Sequence, residues 1–209
     1  MEIVLPILLI VLFLFLVIVL VALKGTKAKR RGERGEENVA YMLSDLQAKY
    51  GGYVINNVIL PIGKSSSQID HIYFSKRGIF VIETKNYSGR IYGRDNAEYW
   101  TQTLIGSHRV VKNKLYNPIM QNARHVQAIK RLIGNRDYIF PLVIFAKGNI
   151  QYIESENVYS INSGRNYILR YPELLTDREV DKVYQKIMAF KKKPVITEEE
   201  HINRIRSNH

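Results

Sequence analysis

Two carboxylates and a lysine stand close together in this sequence, each at the end of or inside an apolar run. Residues 79–85 read Ile79-Phe80-Val81-Ile82-Glu83-Thr84-Lys85, four apolar residues leading straight into a carboxylate and an ammonium two positions apart. In an extended strand, alternation puts Glu83 and Lys85 on the same face. Residues 68–74, Gln68-Ile69-Asp70-His71-Ile72-Tyr73-Phe74, set another carboxylate among apolar neighbours. A carboxylate in such surroundings is costly unless it is paired, hydrogen-bonded or bound to a metal. Lys76-Arg77-Gly78 makes a tight turn between the two runs, which therefore form a hairpin. If Ser75 pairs with Gly78, Asp70 falls opposite Glu83, about 5 Å away on one face. A three-residue turn would send it to the other face. Two carboxylates that close repel unless a cation sits between them. The acid-x-Lys pattern alone arises by chance about once or twice in a chain of this composition. The apolar lead-in, the second strand carboxylate and Glu36 upstream together point to a metal site.

These residues need elements to hold them. A first helix is expected over residues 36–49, stopped by Gly51-Gly52, with Val39, Leu43, Leu46 and Tyr50 as its buried face. Glu36 lies at the edge of that face and Glu37 points to solvent. Strands follow over residues 53–60, 68–75 and 79–85, the first ended by Pro61 and a polar loop at 63–67, with a short fourth strand over 90–93. Asn117-Pro118 opens a second helix that ends near Gly134. A strand over residues 139–145 and a weaker one over 157–161 come next. Thr176 and Glu179 have capping-box spacing and open a third helix, with Val180, Val183, Tyr184, Ile187 and Phe190 as its buried stripe. Strands mixed with helices in this way give one α/β domain over residues 35–190, followed by a polar tail over 191–209.

The chain has 209 residues, 46% hydrophobic and 24% charged, with a net charge of +12 and no cysteine. Disulfide scaffolds, thiol nucleophiles and Cys-ligated metal centres are excluded. Residues 3–23 are an uninterrupted apolar run, long enough to cross a hydrocarbon core of about 30 Å as a helix. The run is too long for a signal peptide, its start is not basic, and Val21-Ala22-Leu23-Lys24 is a poor cleavage site. A retained transmembrane helix is expected. Residues 24–34 carry a net +5 and read as a basic juxtamembrane linker suited to anionic headgroups. The positive-inside rule then places the C-terminal domain in the cytoplasm of a single-pass protein of the cell membrane. Residues 35–209 still carry +8, which suits a polyanionic partner.

Gly35-Glu36 at a helix start, Gln68-Ile69-Asp70-His71, the block from Gly78 through Glu83-Thr84-Lys85-Asn86-Tyr87-Ser88-Gly89, Trp100, and Asn117-Pro118 with Gln121-Asn122 resemble the nuclease-related domain family, NERD. That family is similar to the PD-(D/E)XK nucleases. The resemblance covers residues 35–134 and implies a restriction-endonuclease-like mixed sheet flanked by helices. It implies metal binding by Asp70 and Glu83 with the backbone carbonyl of Thr84. It further implies a motif lysine in Lys85, a helix glutamate in Glu36 and a helix glutamine in Gln121. Ile69 stands where the superfamily name has proline. Mg²⁺, with Mn²⁺ as an alternative, suits two carboxylates and water. Such a cation would polarise a phosphoryl oxygen, and Lys85 would orient water or stabilise the growing charge.

Other residues carry two readings. Arg90, Arg94, Arg109, Lys112 and Lys114 could grip nucleic-acid phosphates or form a solvated basic loop. Tyr99 and Trp100 could stack on bases, although a lone tryptophan is more often buried. His71 points away from Asp70 and reads as structural, and His125, one turn after Gln121, could touch phosphate but reads first as a helix-surface or helix-packing residue. No phosphate-cradling glycine loop is present. The function expected is a membrane-anchored, Mg²⁺-dependent nuclease, with DNA the favoured substrate. The alternative is a catalytically silent module that binds nucleic acid or protein at the membrane.

Overall fold

The computed structural model describes residues 4–62, 65–107 and 109–191. The chain divides into two compact units, residues 1–34 and 35–209. In the first unit, residues 4–34 are helical, part of α1 (Val4–Tyr50). The helix expected to begin at residue 36 thus runs back through the linker at 24–34. Its Lys, Arg, Ala and Glu residues are good helix formers, and Lys29 and Glu33 face each other one turn apart, 4.0 Å between charges. Among the described residues no helix is long and apolar enough to cross a membrane. Of the run at 3–23, the side chains of Leu14 and Leu16 alone are among those described, so the expected span lies largely outside the described residues.

The second unit is an α/β sandwich. Its elements are β1 (Tyr53–Ile62), β2 (Ser65–Ser75), β3 (Gly78–Arg94), β4 (Tyr99–Ile105), β5 (Val110–Tyr116), α2 (Pro118–Ile133), β6 (Ile139–Glu154), β7 (Val158–Ser160), α3 (Ile161–Arg170) and α4 (Asp177–Lys191). The strands form one mixed seven-stranded sheet. β1 to β5 run in order as antiparallel neighbours, and β6 and β7 add in parallel from β3. Alternation along β3 divides the core. Ile79 and Val81 pack with Ala128 and Ile129 of α2 and Val180 and Ile187 of α4. Phe80 and Ile82 pack with Val39, Leu43 and Leu46 of α1 and Ile168 of α3. Each face of the sheet is therefore covered by helices.

The local signals hold where they are strongest. Asn117 caps α2, its side chain accepting from the Ile119 N–H at 2.9 Å, and Gly134 closes the helix. Thr176 and Glu179 form the expected capping box. The β2–β3 turn has two residues, with Ser75 paired to Gly78.

Several expectations fail. Pro61 does not end β1, because β1 is an edge strand and a missing N–H costs little there. Residues 65–67, expected in a loop, belong to β2. The separate strand at 90–93 is the far end of a continuous β3, which bends through register shifts around Asn86 and Arg90. Of the two readings of the basic residues before α2, the solvated loop fails in part, since most of that stretch is the β4–β5 hairpin, and α3 carried no recognised signal. Tyr50 and Phe190 are exposed at 47% and 39%, at the ends of their helices beyond the covered surface. The tail beyond Lys191 lies outside the described residues.

Candidate active site

Glu83 and Lys85 leave β3 on the α2 side, where the apolar part of the strand ends. Glu83 is 1% exposed. Its Oε1 accepts from Lys85 Nζ at 2.5 Å, and its Oε2 lies 2.8 Å from His125 Nε2. Lys85 Nζ also donates to Gln121 Oε1 at 3.0 Å. Gln121 and His125 are four residues apart on α2, so one helix face meets both strand residues. Burial pushes the Glu83 carboxyl upward, but the His125 and Lys85 hydrogen bonds and the lysine charge outweigh it and hold the pKa below the usual value. Burial likewise opposes the charge on Lys85, and Glu83 overcomes it to raise the lysine. The pair is an ion pair that its partners keep charged.

Asp70 sits where β2 and β3 part. Ladder pairing runs from Ser75↔Gly78 to His71↔Ile82. At the next position Asp70 Oδ2 takes the Thr84 N–H at 2.7 Å, in place of a backbone acceptor. Burial drives its pKa up to about 8. Glu83 adds to the rise, the Thr84 N–H opposes it, and Glu36 adds further. Glu83 and Glu36 thus both act on Asp70, and of the strand carboxylates Lys85 hydrogen-bonds Glu83. Glu36 is half-buried at the α1 edge and Glu37 is exposed.

This donor set suits a hard cation. It offers two adjacent carboxylates with excess negative charge, and Mg²⁺ characteristically takes one or two carboxylates and completes its shell with water. Among the described residues no group of three His, Asp or Glu side chains is placed to hold one ion. Thr84, whose carbonyl is the expected third donor, is buried, and its Oγ1 has no hydrogen-bond partner.

His125 packs between α2 and the sheet, not on the helix surface, and it also belongs to this site. It is 4% exposed and bridges Glu83 to Ser67, whose Oγ lies 2.5 Å from Nδ1. Nε2–H donating to the carboxylate and Nδ1 accepting from the serine satisfies every group. Asn122 was quoted only within a motif. It is fully buried and ties β3 to β6 by donating to the Val81 and Leu142 carbonyls at 3.0 and 2.9 Å. A polar side chain on the apolar face of α2 was the available signal for both.

His71 is buried and its Nδ1 lies 2.8 Å from Asn56 Oδ1. Burial pushes its pKa down to about 4. Trp100 is 1% exposed, stacked on Phe145, with its indole N–H on the Arg94 carbonyl at 3.0 Å. It offers no face for a base. Of the basic residues, Arg90 and Arg94 lie on β3, Lys112 and Lys114 on β5, and Arg109 in the turn before it. All five are exposed. None lies within ion-pair distance of a carboxylate among the described residues.

The sequence pattern of the nuclease-related domain family, NERD, matches residues 31–146. An uncharacterised protein of Bacillus anthracis is 34% identical over 168 residues, covering 77% of this chain and 76% of that protein. No solved structure matches.

Proposed function

The chain belongs to the nuclease-related domain family, and on that premise we propose that it is a metal-dependent phosphodiester hydrolase acting on nucleic acid, DNA in the first place. The observation that carries the reading is the junction of Asp70, Glu83 and Lys85 where β2 and β3 part, with Gln121 and His125 of α2 closing over it. Asp70, Glu83 and the Thr84 carbonyl would hold Mg²⁺ or Mn²⁺. When bound, that ion supplies Lewis-acid polarisation of a phosphoryl oxygen. Lys85 has three ammonium protons, of which Glu83 and Gln121 take two. The third serves the attacking water or the charge growing on phosphorus. Gln121 orients the lysine, and His125 holds Glu83 in place from behind. Glu36 adds a carboxylate beside Asp70 that can orient water.

The same reading places the protein in the cell membrane as a single-pass protein with a cytoplasmic domain, anchored by residues 3–23 and the basic residues 24–34. Its support is the apolar run and the charge asymmetry around it.

The test is cleavage of plasmid, linear and single-stranded DNA and of RNA by the full chain, in Mg²⁺, Mn²⁺ or EDTA. Metal-dependent cleavage that falls at least 100-fold in both Asp70→Asn and Lys85→Ala is expected. That is the usual cost of removing a group that stabilises the transition state. Cleavage that survives EDTA, or both substitutions, overturns the proposed site. No cleavage with binding retained would mark a silent binding module.

A further inference from the structure

Beyond the β2–β3 junction, the sheet carries a second surface. Cross-strand neighbours share a face, and two rows can be followed across four strands. One runs Asn149, Arg90, Thr103, Lys112, and the other Tyr152, Tyr92, Thr101, Lys114, through β6, β3, β4 and β5. β4 contributes only threonines. They form a floor, walled by Arg90 and Tyr92 on one side and Lys112 and Lys114 on the other. Two strand spacings make that trough about 10 Å wide. Tyr92 is 37% exposed and stacks on Tyr152 at 4.7 Å between ring centres, and Arg90 lies 5.9 Å from the Tyr152 ring.

At the Arg90 end, the trough opens into a concavity of about 510 Å³, whose lining includes Gly89, Arg90, Thr103, Ile105, Lys147 and Asn149. Two cations face it, and neither has a carboxylate within ion-pair distance among the described residues. Glu98, hydrogen-bonded to Tyr99, and Glu154, the ladder neighbour of Arg94, stand outside the two rows.

We propose that this trough binds single-stranded nucleic acid. Arg90, Lys147, Lys112 and Lys114 take its phosphates, and the exposed Tyr92, backed by Tyr152, takes an unpaired base. Four cations without acid partners complement a polyanion. Aromatic faces among them favour unpaired bases, since every base has a face to stack and a duplex keeps its faces covered. A width of two strand spacings takes one strand. The inference rests on the nucleic-acid reading above and deepens it, naming the form of the substrate.

The experiment uses the full chain in detergent and EDTA, so that binding is read apart from cleavage. Fluorescence anisotropy compares a labelled 20-nucleotide oligo-dT, an oligo-rU and a 20-base-pair duplex over a series of salt concentrations. Tighter binding of a single strand than of the duplex, by tenfold or more, is expected. Lys112→Ala with Lys114→Ala should weaken it at least tenfold and lessen the log–log salt slope by about 1.4. Tyr92→Ala should weaken it at least fivefold, and Tyr92→Phe, which keeps the ring, should bind as the native chain does. Circular dichroism melting verifies that each variant is folded. Equal or tighter duplex binding overturns the proposal, as does single-strand binding that none of the variants changes. The hydrolase reading stands or falls separately: metal-dependent cleavage lost in Lys85→Ala upholds it whatever the trough does. Single-strand binding without any cleavage upholds the trough alone.

Discussion

Asp70 and His71 are neighbours with opposite pH signatures. Asp70 has a folded pKa of about 8, above its unfolded value, so the folded state binds the extra proton. Without metal, this residue lowers stability as pH rises from about 4 to 8. His71 has a folded pKa of about 4, below its unfolded value, so the unfolded state binds the proton first. Its contribution is lost as pH falls from about 6.5 through 4. The windows overlap and the slopes oppose, so single variants separate them. Denaturant melts in EDTA at pH 8 should show Asp70→Asn more stable than the native chain, on the order of a few kcal/mol. Added Mg²⁺ should stabilise the native chain and leave Asp70→Asn unmoved. His71→Gln should flatten the loss of stability between pH 6.5 and 4. A native chain that Mg²⁺ does not stabilise at pH 8 would count against metal binding at Asp70.

The elements hold the site through a few polar ties. Asn117 caps α2, and its Nδ2 also reaches the Asp95 and Ala97 carbonyls at 3.0 and 2.7 Å. The residue that starts the helix thereby fixes it to the β3–β4 turn. Asn117→Ala removes the cap and the bonds to the Asp95 and Ala97 carbonyls, and should cost about 2 kcal/mol in a urea melt. If Gln121 and His125 depend on that placement, activity should fall even where the variant remains folded. Gly52 lies between α1 and β1 with a φ of +88°, and a Cβ there would stand 2.0 Å from the Phe74 carbonyl oxygen. Gly52→Ala should destabilise the second unit by more than about 1 kcal/mol, through both the strained φ and the backbone clash. A melting midpoint equal to that of the native chain would refute the close approach.

For the molecule as a whole, the question is where the domain works. If residues 3–23 anchor it, the full chain should remain in the membrane pellet after alkaline carbonate washing. A chain starting at Gly35 should be released. A reporter fused after His209 should be active on the cytoplasmic side, and activity outside would reverse the topology. Both outcomes follow from local features of the sequence, an apolar run and the charges beside it.

What the sequence determined by itself was what neighbouring residues decide. The cap at Asn117, the box at Thr176 and Glu179, and the presence of a tight turn after Ser75 are set within four residues; that the turn has two residues and not three was decided by the pairing of Ser75 with Gly78. The apolar patterns of α1, α4, β2 and β3 were legible for the same reason, and those of β2 and β3 brought Asp70, Glu83 and Lys85 into view. The threonine-bearing β4 and lysine-bearing β5 read as loop because polar strands show no apolar alternation. Only pairing with β3 makes them strands. His125 could not be assigned from its own helix, because its partners, Glu83 and Ser67, are 42 and 58 residues away. The raised pKa of Asp70 depends on burial, and burial exists only once both faces of the sheet are covered. Tertiary structure decided those features because hydrogen bonds between distant strands and helices, and the desolvation they bring, have no counterpart in the local chain.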